Sequence, residues 1–272
     1  MRLIILILLS AGIVACSSNG KHDDELTEKQ YYDEAIAAID DENFFLAIEK
    51  LQLLESRYPF GKYSEQSQLE MIYTQFQAQE LEGAKAAAER FIRLHPEHSN
   101  VDYAYYMRGL STYFLGLSLV ERYLSDEQAQ RDPVPARDAF GEFAELMRKF
   151  PDSPYVTDAR QRMVYLRNKL AAYEVHVGQY YIKRHAYMAA VNRGRYVVEN
   201  YQGTPAVADA LAVMTEAYEL LGMPDLAGKS LTVLKLNFPE HPQLKDGKFV
   251  HSGFDTKDHR SLLNVMTLGL FG

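Results

Sequence analysis

The chain has 272 residues, 47% hydrophobic and 24% charged, which is the composition of an ordinary folded protein and excludes a disordered or fibrous one. Its 29 lysines and arginines against 37 aspartates and glutamates leave a net charge of −8, which excludes the basic footprint that nucleic-acid binding rests on. The single cysteine, Cys16, excludes an internal disulfide framework.

The first element is a leader. Arg2 supplies one positive charge, and an apolar run follows to Val14, then the small Ala15 and Cys16. The run is shorter than the roughly 20 apolar residues that span a bilayer. Its order of basic, apolar and small residues is that of a secretory signal peptide. Ile13-Val14-Ala15-Cys16 resembles a bacterial lipobox, in which the cysteine is lipidated and opens the mature chain. The expected layout is a signal peptide over 1–15, lipid on Cys16, and a small, polar, flexible tether over 16–25. Each buried acyl methylene adds about 0.8 kcal/mol of membrane affinity, so two or three chains make a lasting anchor. Ser17 stands where an aspartate commonly retains Gram-negative lipoproteins in the inner membrane. The expected location is therefore the periplasmic face of the outer membrane.

Residues 26–243 carry an internal repeat. Five segments end alike, at Tyr58-Pro59, His95-Pro96, Phe150-Pro151, Tyr201-Gln202 and Phe238-Pro239. Twelve positions before each final residue stands Ala47, Ala84, Ala139, Ala190 or Ala227. Five before it stands Leu54, Phe91, Leu146, Val197 or Leu234. An alanine lets two helices approach, an apolar residue seven positions on returns to the same face, and proline ends the helix. Eight residues past four of the stops come Ser67, Ala104, Ala159 and Ala210, again small. Each unit therefore reads as helix, turn, helix, stop, and the alanine and proline spacing matches the tetratricopeptide signature. The predicted fold is all-α, a tetratricopeptide-like (TPR) solenoid of five helical hairpins that leaves a concave face for partners. Two middle units are enlarged, the first surplus falling in a loop over 117–135 and the second lengthening helices around 170–185. Residues 244–272 depart from the repeat. The reading there is a polar linker, with no convincing strand alternation, and then a short apolar helix over 261–271 that caps the last repeat or meets a partner or membrane.

Enzymatic motifs are weak. His95 and His98 flank a proline that breaks any common ligand face, so a polar turn is favoured over a metal pair. Ser111 lacks the second glycine of a nucleophile elbow, Tyr113 standing in its place. No cofactor, metal or catalytic residue is expected. Arg193 has Lys50, Ala87, Glu142 and Ser230 as its repeat equivalents, so its phase predicts an exposed side chain. Beside it, Gly194 replaces Leu51, Ala88, Phe143 and Leu231, which opens room for a partner or a neighbouring helix.

Longer phrases carry a closer resemblance. Arg57-Tyr58-Pro59-Phe60-Gly61-Lys62-Tyr63-Ser64, Tyr106-Met107-Arg108-Gly109-Leu110, Arg131-Asp132-Pro133 and Val191-Asn192-Arg193 resemble the BamD family of lipoproteins over about residues 26–240. The resemblance implies a non-enzymatic part in the β-barrel assembly (BAM) machinery of the outer membrane. It implies contact with the POTRA region of BamA at the C-terminal repeats, where Arg193 is the matched residue. Other BAM lipoproteins and unfolded outer-membrane β-barrel proteins are further implied partners. Unfolded substrate falls to the N-terminal repeats, with Tyr58 matched. The phase of Tyr58 is aromatic in most units, so packing competes with binding there. Phe60 and Tyr63, which follow no repeat phase, are the better candidates for an exposed groove. The alternative is another periplasmic TPR scaffold, for example one that coordinates cell-wall synthesis.

Overall fold

The computed structural model describes residues 26–117 and 133–253. Cys16, the leader, the tether, most of the first surplus and the apolar stretch 261–271 lie outside the described residues. The described chain forms ten α-helices: α1 (Glu28–Asp40), α2 (Phe44–Arg57), α3 (Ser64–Gln77), α4 (Leu81–Leu94), α5 (Val101–Leu115), α6 (Val134–Lys149), α7 (Val156–Lys183), α8 (Tyr187–Asn200), α9 (Ala206–Leu220) and α10 (Pro224–Asn237). The fold class is all-α and TPR-like. One compact unit runs through Gln79, and a second begins at Glu80. In the first, α2 packs on α1 and on α3. In the second, each helix packs on the next, and α7 also meets α9.

The repeat is visible as backbone geometry. The closing (B) helices of the five sequence repeats end at Tyr58, His95, Phe150, Tyr201 and Phe238, each with φ between −118° and −137°. Each of these N–H groups donates at 2.8 Å to the carbonyl four residues back, on Leu54, Phe91, Leu146, Val197 or Leu234. All five acceptor residues are fully buried. Each capping carbonyl then accepts from the residue three further on, Gly61, His98, Ser153, Thr204 or His241. The proline or Gln202 inside this turn has no ladder bond to lose. Ala47, Ala84, Ala139, Ala190 and Ala227 are buried, as are Ser67, Ala104, Ala159 and Ala210. Small side chains at these positions let neighbouring helices close up, so apolar groups on both sides lose their water. Four of the A-to-B turns contain a left-handed residue, Glu42, Gln79, His185 or Gly222.

The second surplus is one helix, the 28-residue α7. It bridges two apolar clusters. Ala159, Leu166 and Leu170 join Phe143 and Leu146 of α6, while Ala171, Val175 and Ile182 join Val191 and Val197 of α8 and Ala210 and Val213 of α9.

Past Phe238 the chain does not become a linker at once. The repeat's backbone bonds continue for one more step, Leu244 N–H to His241 carbonyl at 2.8 Å, as at the starts of α3, α5, α7 and α9. A two-stranded antiparallel hairpin then replaces the helix, β1 (Leu244–Lys245) and β2 (Lys248–Phe249). Asp246 and Gly247 take φ of 50° and 72°, the left-handed pair that a two-residue hairpin needs. Leu244 and Phe249 pack on Leu211, Ala212 and Leu234. Three carboxylates spaced i, i+7 and i+10 along α9 tie this strap down. Asp209 Oδ1 is 3.0 Å from His241 Nε2, and Glu219 Oε2 is 2.6 Å from His251 Nε2. Gln243 N–H donates to His241 Nδ1, so Nε2 carries the proton towards Asp209. Glu216, buried between the two, accepts from Ser252 N–H at 2.9 Å, Ser252 Oγ at 2.8 Å and Gln243 Nε2 at 3.3 Å.

Glu216→Ala should therefore loosen the strap without melting α9. Removing the acceptor leaves donors unsatisfied at a cost of about 1–3 kcal/mol, which is about a 5- to 150-fold gain in local opening. Hydrogen exchange read by mass spectrometry over 243–252 checks this. Unchanged protection there would show that the apolar contacts alone hold the strap.

Candidate functional site

Two candidate sites lie in separate compact units. In the first unit, the start of α1 is folded against the turn that follows α2. Thr27 forms a capping box with Gln30, which fixes the entry of the chain. The adjacent Leu26 carbonyl accepts the Tyr58 hydroxyl at 3.0 Å. Glu28 Oε1 accepts Tyr63 N–H at 2.5 Å. The same carboxylate lies over Gly61, where a Cβ would stand 2.2 Å from Oε1, so any larger residue there would have to push the Glu28 carboxylate aside. The Tyr63 ring stacks on Tyr32 with centroids 4.7 Å apart, and Lys62 Nζ sits 5.6 Å from the Tyr63 centroid. Tyr58 is half-buried, with its ring 6.5 Å from that of Tyr31. Phe60 is the outlier at 99% exposed. Tyr58 and Tyr63 are thus held by α1, and Phe60 stands at the apex with no apolar cover.

The second site is Arg193 on α8. Its Nη1 donates at 2.8 Å to Glu174 Oε2 on α7, and its guanidinium carbon lies 6.0 Å from the Tyr181 centroid. The Arg193 side chain is 41% exposed, whereas that of Glu174 is 7% exposed. The Glu174 hydrogen bond, opposed by partial burial, raises the arginine further above its usual range. Arg193 is therefore not a freely solvated side chain, as its repeat phase predicts, but the half-exposed counterion of a buried carboxylate. Gly194 leaves no vacancy for a partner. A Cβ there would stand 2.6 Å from Met214 Cγ and 2.8 Å from the Ala210 carbonyl, so α9 already fills the space. Glu174 and Tyr181 escape repeat reasoning because they fall in the enlarged stretch of α7, where no other unit supplies an equivalent.

Elsewhere in the second unit, an aromatic and ionic network joins α5 to α7. Tyr106 donates to Asp158 at 2.8 Å, and Arg162 donates to the same carboxylate while its guanidinium covers Tyr113 and Phe114. Burial, aided by the Asp158 bond, pushes the Tyr106 phenol up to about 12. Burial alone would raise Asp158, but the bonds from Arg162 and Tyr106 outweigh it and hold its carboxyl below the usual range. A phenol kept protonated beside a carboxylate kept ionised is a settled structural pair, poised to neither give nor take a proton near neutrality. Ser111 is buried and donates to the Met107 carbonyl, and His95 and His98 lie against the Phe91 ring. Among the described residues, no group of three His, Cys, Asp or Glu side chains could hold a metal ion. No helix of the described residues is long and apolar enough to cross a membrane.

Comparison with known proteins places these sites in a family. The model of the YfiO family, described as an outer membrane lipoprotein, matches residues 24–234. A relative from Neisseria meningitidis serogroup A, the outer membrane protein assembly factor BamD, is 38% identical over 89% of this chain and 93% of its own. The protein of that name from Vibrio cholerae is 37% identical over 83% of this chain and 93% of its own. That from Haemophilus influenzae is 29% identical over 90% of this chain and 97% of its own. With the repeat, its two enlarged units and the family match all spanning the same residues, the chain belongs to the BamD (YfiO) family of outer membrane protein assembly factors.

Proposed function

We propose that this chain is a non-enzymatic, lipid-anchored component of the BAM complex that takes part in inserting β-barrel proteins into the outer membrane. Cys16 carries the anchor on the periplasmic face. The face around Arg193 binds the POTRA region of BamA, alongside the other BAM lipoproteins, and the 58–63 turn receives unfolded substrate through Phe60, with Tyr58 and Tyr63 beneath it. The observation that carries this reading is the relatives' shared name, outer membrane protein assembly factor, across more than four-fifths of the chain. The geometry adds two supports. A bare phenylalanine at a braced apex offers apolar contact at low ordering cost, and a half-exposed guanidinium keeps donors for a partner's acceptors.

Photocrosslinking in cells tests it. A crosslinking residue in place of the exposed Asn192 should capture BamA, and one in place of Phe60 should capture nascent β-barrel proteins. Cys16→Ala should release the chain from the membrane fraction. Capture of cell-wall synthases with no BamA would favour the other scaffold reading instead.

A further inference from the structure

We infer that Glu174 is the positioning residue of Arg193, a buried carboxylate that fixes the guanidinium in the pose a partner meets. The inference rests on the reading of Arg193 as a partner contact. Glu174, Gly178 and Tyr181 are spaced i, i+4 and i+7 on α7, so they form one stripe facing α8. Each meets a different part of Arg193. Glu174 binds Nη1 at 2.8 Å, Tyr181 lies beside the guanidinium, and Gly178 faces the root, where an added Cβ would make ordinary contact with Arg193 Cβ at 3.6 Å and crowd only Val213 Cγ1 of α9, at 3.1 Å. Gly194, next in sequence, brings α8 closer still to α9, where a Cβ would stand 2.6 Å from Met214 Cγ and 2.8 Å from the Ala210 carbonyl. The root of Arg193 is thus set between α7 and α9 and its tip is tethered to Glu174, while the side chain remains 41% exposed.

This arrangement is a poor device for stability. Removing a carboxylate from water is costly, and buried ion pairs replaced by apolar groups of similar size are often neutral or more stable. It is a good device for binding. An arginine left free loses much rotamer freedom on docking, whereas one held beforehand has little left to lose. The stripe lies in the stretch that makes α7 longer than the other A helices. The enlargement therefore supplies the two side chains that meet the guanidinium of Arg193.

The test is a double-mutant cycle on the full-length chain, with Glu174→Gln, Glu174→Met and Arg193→Met alone and in combination. Affinity for the purified POTRA region of BamA is read by calorimetry at a temperature where circular dichroism shows every variant helical. Either change at Glu174 should weaken binding by about three- to tenfold, the equivalent of one newly ordered long side chain. In the Arg193→Met background neither should weaken it further, since nothing remains to be positioned. If Arg193→Met weakens binding but both Glu174 variants match the wild type, Glu174 does not position it. An equal loss from Glu174→Met in both backgrounds would place its action in the fold. If Arg193→Met itself binds like the wild type, the reading of Arg193 falls and takes this inference with it.

Discussion

Gly194→Leu should lower the melting temperature by about 6–12 °C, because forcing a side chain into a closed helix seam costs about 3 kcal/mol in a unit of this size. The repeat argues the opposite. Leucine stands at this phase in two other units, as Leu51 and Leu231, and a consensus replacement in a helix normally stabilises. Exchanging glycine for a better helix former should also contribute about 1 kcal/mol. The deciding quantity is the distance to α9. Met214 Cγ, 2.6 Å from an added Cβ, belongs to a flexible side chain and can move. The Ala210 carbonyl, 2.8 Å away, is helix backbone and cannot move without shifting α9 itself. Overlap therefore outweighs propensity, and Gly194→Ala should already melt below the wild type. Thermal melts followed by circular dichroism decide the matter. A leucine variant as stable as the wild type would mean that the seam opens freely and that the glycine is there for something else.

The same contrast marks how far the sequence is legible. The helix stops can be read directly because they are local. A proline or its stand-in ends each B helix, and the residue before it closes the last bond at 2.8 Å in all five units. The alanine phase can be read because five copies of one packing problem have the same solution. Phe60 can be singled out because it follows no phase, and its exposure agrees with that. The hairpin at 244–249 cannot be found by alternation, because its strands are two residues long. Only Asp246-Gly247, flanked by Lys245 and Lys248 and then by Leu244 and Phe249, announces it. The Glu174–Arg193 pair is hidden for another reason. It joins two helices across 19 residues, and one partner lies where the repeat has no copy to compare. Phase says that Arg193 is outside the core, which is so. It cannot say that a carboxylate inside the core depends on it.

That dependence governs what a charge reversal does. Arg193→Glu should lower the melting temperature by about 4–8 °C, since stranding the buried Glu174 carboxylate costs about 2 kcal/mol, less than in a fully buried pair because Arg193 is half-exposed. Two effects combine. Glu174, 5% exposed, loses the only cation among the described residues that bonds it, and a second carboxylate arrives beside it. Loss of BamA from such a variant would not by itself locate an interface, because the α7–α8 seam would be weakened as well. Glu174→Met removes the stranded charge and fills the space with a flexible apolar side chain. In that background the carboxylate introduced by Arg193→Glu can turn to water, and the double variant should match the stability of Glu174→Met alone to within about 0.5 kcal/mol, the usual range for an exposed substitution. Any further loss of BamA binding between those two proteins then belongs to the surface and not to the fold. Should Arg193→Glu melt with the wild type, Glu174 has another way to satisfy its charge, and the α7 stripe does not hold Arg193 in the manner described.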